Sequence, residues 1–382
     1  MQIVFLSNYY NHHQFALSQK FYQLSEGNYY FIETSSMSKE RKNLGYNVDG
    51  YPDYVKRYCT EKQSYISIIN EADIVIFGSA PYKMIKERLK QGKLCFLYSE
   101  RIYKTRFKWY EFPFRLVKYF FKFGRYNNLY LLCASAYTAS DYSKTLTFLN
   151  RAYKWGYFPE VKRYDNIEKL LEIKQAASIL WVGRFIDWKH PELPVFVAKR
   201  LKEEGYKFQL NLIGIGELQG FIKKIIDENN LWDCINLLGS MKPSDVRKWM
   251  ERSEIFMVTS DRREGWGAVL NEAMNSGCAI VASHLIGSVP FLIKDEQNGL
   301  IYQNGNFNDL YNSIKRLLDS PDLCKKLGGF AYKTITTLWN AEVAAERFLK
   351  LANDINAHKI TEDFFDGPCS KAKIIKDYWL KE

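Results

Sequence analysis

The sequence of 382 residues has no long apolar run. No stretch approaches the roughly 18–20 consecutive apolar residues that a transmembrane helix requires. The opening MQIVFLSNYYNHHQ passes from a short strand pattern into polar residues, unlike a signal peptide. These absences argue against a membrane-spanning or exported protein, and they predict a chain that stays in the cytosol.

Paired cysteines and clustered metal ligands are absent as well. The seven cysteines are scattered, odd in number and never spaced as C-x-x-C, which argues for reduced thiols rather than disulfides or a zinc site. There is also no convincing carboxylate cluster for a metal. The turn after the first strand, SNYYNHHQ, lacks the glycine fingerprint of dinucleotide-binding proteins. The sequence therefore predicts no metal and no cofactor, and it excludes a dinucleotide-dependent oxidoreductase.

The composition is that of a folded protein with an uneven charge. Hydrophobic residues make up 47% and charged residues 25% of the chain, which excludes disorder, collagen and small disulfide scaffolds. Of the net charge of +11, all lies in residues 1–155, which hold 23 Lys and Arg against 12 Asp and Glu. The remainder holds 31 of each. An acidic partner is therefore expected for the first two fifths of the chain.

Short apolar runs alternate with segments of helical period, and this order appears twice along the chain. The alternation predicts parallel sheets wrapped by helices, that is, two Rossmann-like, doubly wound α/β domains with ligands at the carboxyl ends of the strands. The predicted strands are 2–7, 29–34, 72–78, 93–99 and 129–135 in the first half, and 178–184, 208–214, 235–239, 254–260 and 278–283 in the second.

Gly156 and Pro159 interrupt any regular element in the segment between the two predicted domains. The sequence thus predicts an amino-terminal domain over 1–160 and a second domain over 166–355. A tail over 356–382 follows, which could pack back on the first domain. Because both sheets would present their carboxyl edges to a shared cleft, the active site is expected between the domains.

One stretch, DRREGWGAVLNEAMNSGCAIVAS, carries the most chemistry. It follows the strand EIFMVTS, so residues 264–267 lie where a strand turns into a helix, and small residues there let backbone N–H groups approach a phosphate. Glu264 and Glu272 are eight positions apart, about 12 Å along a helix at 1.5 Å per residue. One carboxylate can then meet a sugar and the other a ribose. Alternatively, Glu264 interacts with the helix dipole and Glu272 is a solvated helix residue.

This stretch, with its E-x7-E spacing, resembles the signature of retaining glycosyltransferase family 4, whose members have the GT-B fold. Three further motifs follow the family's order: WVGRFIDWKHP (181–191), LIGIGEL (212–218) and INLLGSMKPSDVRKWMERSEIFMVTS. The resemblance is close over 178–340 and rests on strand order elsewhere. It implies a GT-B, retaining, metal-independent glycosyltransferase that uses a nucleotide-sugar, with UDP-sugar as the predicted donor.

The resemblance also implies roles for individual residues. Arg184 and Lys189 would hold the donor diphosphate, Glu272 the ribose, and Glu264 the donor sugar. Fixed cations would stabilise the charge that develops on the leaving nucleoside diphosphate, so Arg184, Lys189 and Glu264 are the predicted catalytic residues. The alternative is that Arg184 and Lys189 belong to a solvated face without a ligand. The other predicted donor-binding residues are Gly183, Gly214, Gly216, Ser240, Met241, Gly265, Trp266, Gly267, Ala268 and Val269.

Two segments depart from the family pattern. After the signature helix the chain has HLIGSVPFLI, with Ser288 and Phe291 in place of the usual Gly-Gly and Glu. After the fourth strand, where relatives place a histidine, the chain has Glu100 and Arg101, which we assign to the acceptor side of the cleft. The first loop carries His12 and His13. We hypothesise that one of them, His13 first, reaches the cleft and acts in catalysis; the alternative is an ordinary polar loop histidine.

Residues 101–125, RIYKTRFKWYEFPFRLVKYFFKFGR, combine eight Lys or Arg with ten aromatic residues and one acid. From Pro113 onward the cations recur at helical spacing, which predicts an amphipathic helix with cations on one face and rings on the other. We favour docking on an anionic membrane. A basic, aromatic-lined acceptor groove, or rings packed on the core beneath solvated lysines, are alternatives. The predicted membrane residues are Arg115, Lys118, Lys122, Phe120 and Phe121.

Together these features predict a transferase that moves a sugar from a nucleotide-sugar to a lipid-linked or growing cell-surface polysaccharide of the capsule, O-antigen or exopolysaccharide type. It would work in the cytoplasm, peripherally on the inner face of the plasma membrane. Nucleic acid is not an expected partner, because no recognition motif accompanies the charge. A soluble transferase acting on a small molecule or free glycan, and a non-catalytic GT-B binding subunit, are the alternatives.

Overall fold

The computed structural model describes residues 1–37, 50–58, 65–105, 109–359 and 364–381. The chain divides into two compact units, here called unit 1 and unit 2. Unit 1 contains residues 1–160 together with 339–379, and unit 2 contains 161–338 together with 380–382. Cys59 and residues 106–108 of the basic aromatic segment lie outside the described residues.

Unit 1 is built on a seven-stranded parallel sheet in the order β3-β2-β1-β4-β5-β6-β7. The central strands are almost entirely apolar and buried, as expected when helices cover both faces of a parallel sheet. The order reverses between β1 and β4, which makes the sheet doubly wound. The strands are β1 Ile3–Ser7, β2 Tyr29–Glu33, β3 Val55–Arg57, β4 Ile74–Phe77, β5 Cys95–Ser99, β6 Leu129–Cys133 and β7 Ala152–Lys154.

The first helix follows β1 directly and begins at a cap. The side chain of Asn11 accepts a hydrogen bond from the backbone N–H of His13, which satisfies one of the free donors of the first turn. Phe21 and Leu17 bury the inner face of this helix. This helix is α1 His12–Leu24, and the helices that follow it are α2 Ile66–Glu71, α3 Lys86–Lys90, α4 Phe112–Tyr119 and α5 Thr138–Ser143.

Unit 2 has a six-stranded parallel sheet in the order β10-β9-β8-β11-β12-β13. Trp181, Leu212, Met257 and Val281 belong to one hydrophobic core that runs across neighbouring strands. The order again reverses, here between β8 and β11, which marks the ligand-binding edge of such sheets. The strands are β8 Gln175–Val182, β9 Gln209–Ile213, β10 Ile235–Gly239, β11 Ser253–Val258, β12 Ala279–Ser283 and β13 Leu300–Tyr302.

Eight helices of unit 2 alternate with or follow these strands. They are α6 Ile167–Glu172, α7 Glu192–Glu203, α8 Gln219–Glu228, α9 Pro243–Arg252, α10 Ala268–Asn275, α11 Val289–Leu292, α12 Phe307–Leu318 and α13 Pro321–Thr337. Short 3₁₀ turns occur at Tyr82–Met84, Trp109–Glu111, Asp187–Lys189 and Trp379–Lys381. Within the described ranges, we find no helix with the length and apolar character needed to cross a bilayer.

The last long helix, α14 Ala341–Asn356, belongs to unit 1 rather than to unit 2. Its Phe348 is fully buried, with its ring centroid 4.8 Å from that of Phe96, 5.4 Å from Phe21 and 5.6 Å from Trp155. The predicted second domain over 166–355 was therefore too long at its carboxyl end. The reason is that the apolar stripe of α14 packs on the aromatic surface of α1 and β5. These elements are far from α14 in the sequence, so the sequence pattern did not indicate this contact.

The segment after α14 also packs on unit 1. Lys154 and Cys369 are joined by a backbone hydrogen bond of 2.8 Å, and Lys154 N–H donates to Ser370 O at 2.7 Å. Tyr153 and Lys371 form an antiparallel bridge. The tail thereby covers the exposed edge of β7, where unpaired backbone groups would otherwise remain.

Candidate functional site

Four loops of unit 2 meet at one edge of its sheet. They follow β10, β9, β8 and β11, which are consecutive neighbours, and the carboxyl ends of parallel strands share an edge. The four sequence motifs lie in these loops. The topology therefore brings together motif residues that are up to 89 positions apart, from Gly183 to Glu272.

The loop after β8 carries the two predicted diphosphate-binding cations. Arg184 is exposed, and its Cζ lies 5.9 Å from the ring centroid of Trp188. Lys189 ends a 3₁₀ turn, and its Nζ lies 4.8 Å from the same ring. An aromatic ring attracts cations to its face, so Trp188 helps to orient both side chains. Trp188 was not among the predicted site residues.

Gly214 and Gly216 allow the loops after β8 and β9 to lie against each other. A Cβ on Gly214 would come within 1.8 Å of Gly183 O, and one on Gly216 within 2.4 Å of Phe185 O. These two glycines are thus required for backbone packing beneath Arg184. Contact with a ligand, which the resemblance implies for them, stays a prediction.

Lys189 and Glu264 form an ion pair between the loops after β8 and β11. Lys189 Nζ donates to Glu264 Oε2, and Ser260 Oγ donates to the same oxygen at 3.1 Å. The two ionic side chains are only 14% and 12% exposed, so the pair is largely shielded from water. The structure thus joins two residues that the resemblance assigned separately to the donor diphosphate and the donor sugar.

The helix after Glu264 begins later than the spacing argument assumed. Gly267, with a φ of 84°, precedes the first helical residue, Ala268. Glu264 therefore lies in the preceding turn, and the predicted separation of two helical turns from Glu272 does not apply. Ala268 and Val269 form the first turn of α10, where backbone N–H groups lack partners within the helix. Such a helix start attracts anions.

Glu272 lies on α10 and is half-buried. Burial raises the pKa of its carboxyl above the ordinary value, while the nearby Arg247 charge acts in the opposite direction. Arg247 also donates to Glu272 O at 3.2 Å and to Asn275 Oδ1 at 2.8 Å. Arg247 thus fixes the carboxyl half of the helix that carries Glu272.

Trp266 is buried between two glycines, Gly265 and Gly267, in the turn before α10. Trp266 is 1% exposed, and its Nε1 donates to Asn271 Oδ1 at 2.9 Å. The backbone carbonyl of Trp266 accepts from Ser288 N–H at 3.3 Å. Gly265 and Gly267 are buried on either side. The indole therefore supports the turn from within the unit rather than presenting its ring to a ligand.

Ser240 and Met241 follow β10, at the outer end of the four loops. Ser240 is exposed and Met241 is half-buried. Gly214 N–H donates to Gly239 O at 2.8 Å, so the loop after β10 is fastened to the glycine turn after β9. This placement agrees with a position beside a bound nucleotide, and the contact itself stays a prediction.

A network of charged residues beside Lys189 and Glu264 was missed by the sequence analysis. Arg263 bridges Asp187, at 2.6 Å, and Asp261, at 2.8 Å. His190 Nδ1 lies 2.9 Å from Glu192 Oε1, and its Nε2 lies 3.6 Å from Asp261 Oδ2. The run of charges in DWKHPE and SDRRE was the only signal, and it did not show which charges meet.

The two histidines of the first loop lie in unit 1, at the start of α1. Their ring centroids are 3.9 Å apart, and the ring of His13 lies 6.1 Å from that of Tyr157. Burial lowers the pKa of His12 below its ordinary value. Since α1 follows β1, where the strand order reverses, both histidines stand at the predicted ligand edge of this sheet. Their part in catalysis stays a prediction.

Glu100 and Arg101 follow β5, but they do not share one environment. Glu100 accepts from Tyr157 Oη at 2.9 Å and from Lys104 Nζ at 2.5 Å. Arg101 is 3% exposed and pairs within unit 1 with Asp141 at 3.5 Å and Asp377 at 3.1 Å. The assignment of Arg101 to the acceptor cleft does not match this burial, because its guanidinium is enclosed between the domain core and the tail.

The basic aromatic segment has its cations and rings arranged differently from the predicted stripe. Helix α4 ends at Tyr119 and a π-helical turn, Phe120–Gly124, follows, so the spacing changes along the segment. Arg115 donates to Glu111 at 2.6 Å and its Cζ lies 4.9 Å from the ring of Tyr103. These contacts direct Arg115 along the protein surface rather than outward.

Lys122 is also turned toward the protein. Its Nζ lies 4.9 Å from the ring of Phe123 and 5.3 Å from that of Tyr82. Burial, with a smaller contribution from Lys118, lowers the pKa of Lys122. Lys118 itself is exposed. The outward surface is instead an aromatic ridge, which we define as Phe114 (72% exposed), Val117 (53%), Phe120 (48%) and Phe121 (57%).

Comparison with known proteins finds a family model that matches the segment in which this site lies. Residues 162–334 match the family model of Glycosyl transferases group 1, and this range contains all four loops. The chain is 29% identical over 213 residues to an uncharacterized glycosyltransferase of Methanocaldococcus jannaschii, covering 55% of this chain and 56% of that protein.

A relative with a more specific name has a similar match. It is the N-acetylgalactosamine-N,N'-diacetylbacillosaminyl-diphospho-undecaprenol 4-alpha-N-acetylgalactosaminyltransferase of Campylobacter jejuni, 30% identical over 178 residues. The match covers 46% of this chain and 44% of that protein. The chain thus spans about half the length of these curated relatives.

The fold agrees with a solved structure over nearly its whole length. HepE from Anabaena in complex with UDP matches with a TM-score of 0.69 and 14% identity, covering 94% of this chain and 100% of that one. Two parallel-sheet α/β units with glycosyltransferase neighbours of this class confirm the predicted GT-B fold.

Proposed function

We propose that the protein is a retaining, metal-independent glycosyltransferase that uses a nucleotide-sugar, with UDP as the nucleotide. The observation that carries the proposal is the Lys189–Glu264 pair at the start of α10. A cation and a helix amino end would bind a diphosphate, and the carboxylate beside them would accept hydrogen bonds from sugar hydroxyls. The bound UDP of HepE supports the choice of nucleotide.

The charges of this site suit the departure of a nucleoside diphosphate. As the glycosidic bond breaks, negative charge grows on the diphosphate, and Arg184, Lys189 and the first N–H groups of α10 stabilise it. Glu272, further along the helix, accepts hydrogen bonds from the ribose. The leaving phosphate helps to deprotonate the acceptor hydroxyl, so that the sugar is delivered on the same face and its configuration is retained.

We further propose that the acceptor is a lipid-linked or growing cell-surface polysaccharide. The relative from Campylobacter jejuni supports this, because its name specifies a diphospho-undecaprenol acceptor. The aromatic ridge supports a place at the bilayer, since exposed aromatic side chains beside cations favour the interface. The protein would then act peripherally on the inner face of the plasma membrane. Lys118 supplies charge toward anionic headgroups.

Binding of UDP to the full chain tests the donor site. At a UDP concentration about 100 times Kd, mass action contributes about 2.7 kcal/mol, which for a unit of this size corresponds to a melting shift of about 5–10 °C. In Lys189→Ala the Kd should rise by about 10- to 100-fold, because a hydrogen bond to a charged group contributes about 1.5–3 kcal/mol. EDTA should leave the wild-type Kd unchanged.

Lys224→Ala is the matched control, because Lys224 is an exposed lysine of the same unit and pairs only at the surface with Glu228. Equal losses in both variants would contradict the assigned site. With a UDP-sugar that is consumed, nuclear magnetic resonance of the product should show the anomeric configuration of the donor. An inverted product would disprove retention, and UDP binding without sugar transfer to any acceptor would favour a non-catalytic subunit.

Cosedimentation with vesicles tests the membrane contact. We expect binding to vesicles of phosphatidylglycerol and phosphatidylcholine, and loss of binding in the double variant Phe114→Ser with Phe121→Ser. Phe221→Ser is the control, because Phe221 is 49% exposed in unit 2. If charge alone drives binding, about 1 M salt should abolish it, since screening then acts within about 3 Å. Wild-type protein that stays in the supernatant would favour a soluble transferase.

A further inference from the structure

Asp261 connects the two loops that carry Lys189 and Glu264. Its backbone N–H donates to Trp188 O at 3.0 Å, and its backbone carbonyl accepts from Glu264 N–H at 3.1 Å. One residue therefore touches the immediate neighbour of Lys189 and the backbone of Glu264. Neither contact depends on the Lys189–Glu264 ion pair itself.

The side chain of Asp261 extends this connection through two cations. Arg263 binds its carboxylate at 2.8 Å and reaches Asp187, at the start of the 3₁₀ turn that contains Lys189. On the other side, His190 lies between Asp261 and Glu192. His190 adopts a φ of 52°, so the chain turns sharply immediately after Lys189. The turn is thus held at Asp187 on one side of Lys189 and at His190 on the other.

The charges of this network favour a permanent connection. Although burial acts against ionisation, His190 and Arg263 hold the pKa of Asp261 below its usual range. The interactions with Asp261 and then with Glu192 raise the pKa of His190 to about 9, so the imidazole is cationic at neutral pH. Asp261 is only 17% exposed. It therefore forms charged contacts with both cations in a partly shielded place.

We propose that Asp261 is a positioning residue, which holds Lys189 and Glu264 at the separation that a donor diphosphate requires. The inference rests on the proposed donor site but goes beyond it, because Asp261 acts through Lys189 and Glu264 and binds no substrate itself. Asp261 orders the loop before a ligand arrives, so that binding costs less conformational entropy. Without the Asp261 side chain, the turn that carries Lys189 is free to move, and the affinity for the diphosphate falls.

The test is a double-mutant cycle on UDP affinity in the full chain. Asp261→Ala should weaken UDP binding by at least about tenfold, since a misplacement of about 1 Å can cost as much as 100-fold. In the Lys189→Ala background the same change should alter Kd by less than about twofold. UDP carries no sugar for Glu264 to bind, so the effect of Asp261 on UDP passes through Lys189. A merely structural role would give additive losses in the two backgrounds, and additivity would overturn the proposal.

Asp261→Asn keeps the volume of the side chain and guards against a folding defect. Asp233→Ala is the control, because Asp233 also pairs with a lysine of unit 2, Lys202, but is 63% exposed. Amide hydrogen exchange without UDP gives a second measurement. Asp261→Asn should speed exchange at residues 186–190 and 260–265, whereas Asp233→Ala should not.

Unchanged exchange in Asp261→Asn, or wild-type affinity in both Asp261 variants, would overturn the proposal. Failure of the proposed function has a different signature. In that case the wild-type protein binds no UDP, while the exchange measurement still reports whether Asp261 orders the Lys189 turn.

Discussion

Replacement of Gly216 by alanine should weaken UDP binding in a protein that still folds. The new Cβ would lie 2.4 Å from Phe185 O, whereas ordinary contacts begin near 3.4 Å. The loops after β8 and β9 must therefore move apart by about 1 Å, and the first of them carries Arg184. Hydrogen bonds to charged groups contribute about 1.5–3 kcal/mol, so a displaced Arg184 should raise the Kd for UDP by about tenfold or more. Overpacking of this kind costs about 1–3 kcal/mol of stability.

The assay is UDP titration by calorimetry at a temperature where the variant remains folded, with near-ultraviolet circular dichroism as the check on folding. Gly220→Ala is the matched control, because Gly220 is four residues further along and its Cβ would meet nothing within 4 Å. We expect wild-type affinity in the control. A folded Gly216→Ala protein with UDP affinity within about twofold of wild type would refute the argument that this close approach positions Arg184.

Two further predictions concern stability. Phe348→Ala should destabilise unit 1 by about 3–5 kcal/mol, because it removes a fully buried ring packed between α1 and β5. Denaturant unfolding measures this loss of stability. A loss below about 1 kcal/mol would contradict the packing of α14. His190→Gln tests the pH dependence. The folded-state pKa of His190, about 9, lies above its ordinary value of 6.5, so its pairing with Asp261 and Glu192 contributes fully below pH 6.5. That contribution is lost as the pH rises through 9. The stability difference between wild type and His190→Gln should therefore shrink over this interval in urea unfolding. Arg263 also pairs with Asp261 and keeps its charge over this range. A stability difference independent of pH would show that the imidazole does not titrate there.

The ten predicted strands are all present because each is a short apolar run between turn residues, and burial on both faces of a parallel sheet leaves little ambiguity. Three strands were not predicted: Val55–Arg57, Ala152–Lys154 and Leu300–Tyr302. Each has three residues and lies at a sheet edge. Such segments are defined by pairing with a neighbouring strand, and three residues are too few to show a period.

The candidate donor site was predictable in its parts but not in its connections. Local turn chemistry placed Arg184, Lys189 and Glu264 after strands, and the strand order then brought the turns together. The start of α10 was misplaced, because Gly267 in the left-handed region breaks the helical spacing between the two glutamates. The Asp261 network depends on side-chain contacts across 76 positions, from Asp187 to Arg263, for which the sequence carries no local signal.

The basic aromatic segment shows how periodicity can mislead. Four cations at helical spacing predicted one charged face, but Arg115 and Lys122 have partners on the protein: Glu111 and the rings of Tyr103, Tyr82 and Phe123. Pairing with a carboxylate or a ring offsets the cost of holding a cation near the protein surface. The side chains that remain outward therefore include Phe114, Val117, Phe120 and Phe121, with Lys118 beside them.

Because α14 and most of the tail complete unit 1, that unit is assembled from two separate parts of the chain, with residues 161–338 of unit 2 as one continuous segment between them. A growing polypeptide would have residues 161–338 available for folding before Phe348 has been synthesised. Until then, Phe21, Phe96 and Trp155 have no α14 to cover them. Unit 2 is therefore expected to reach its native state first during translation. Unit 1 can fold completely only after α14 has been synthesised, so it is the unit more exposed to aggregation.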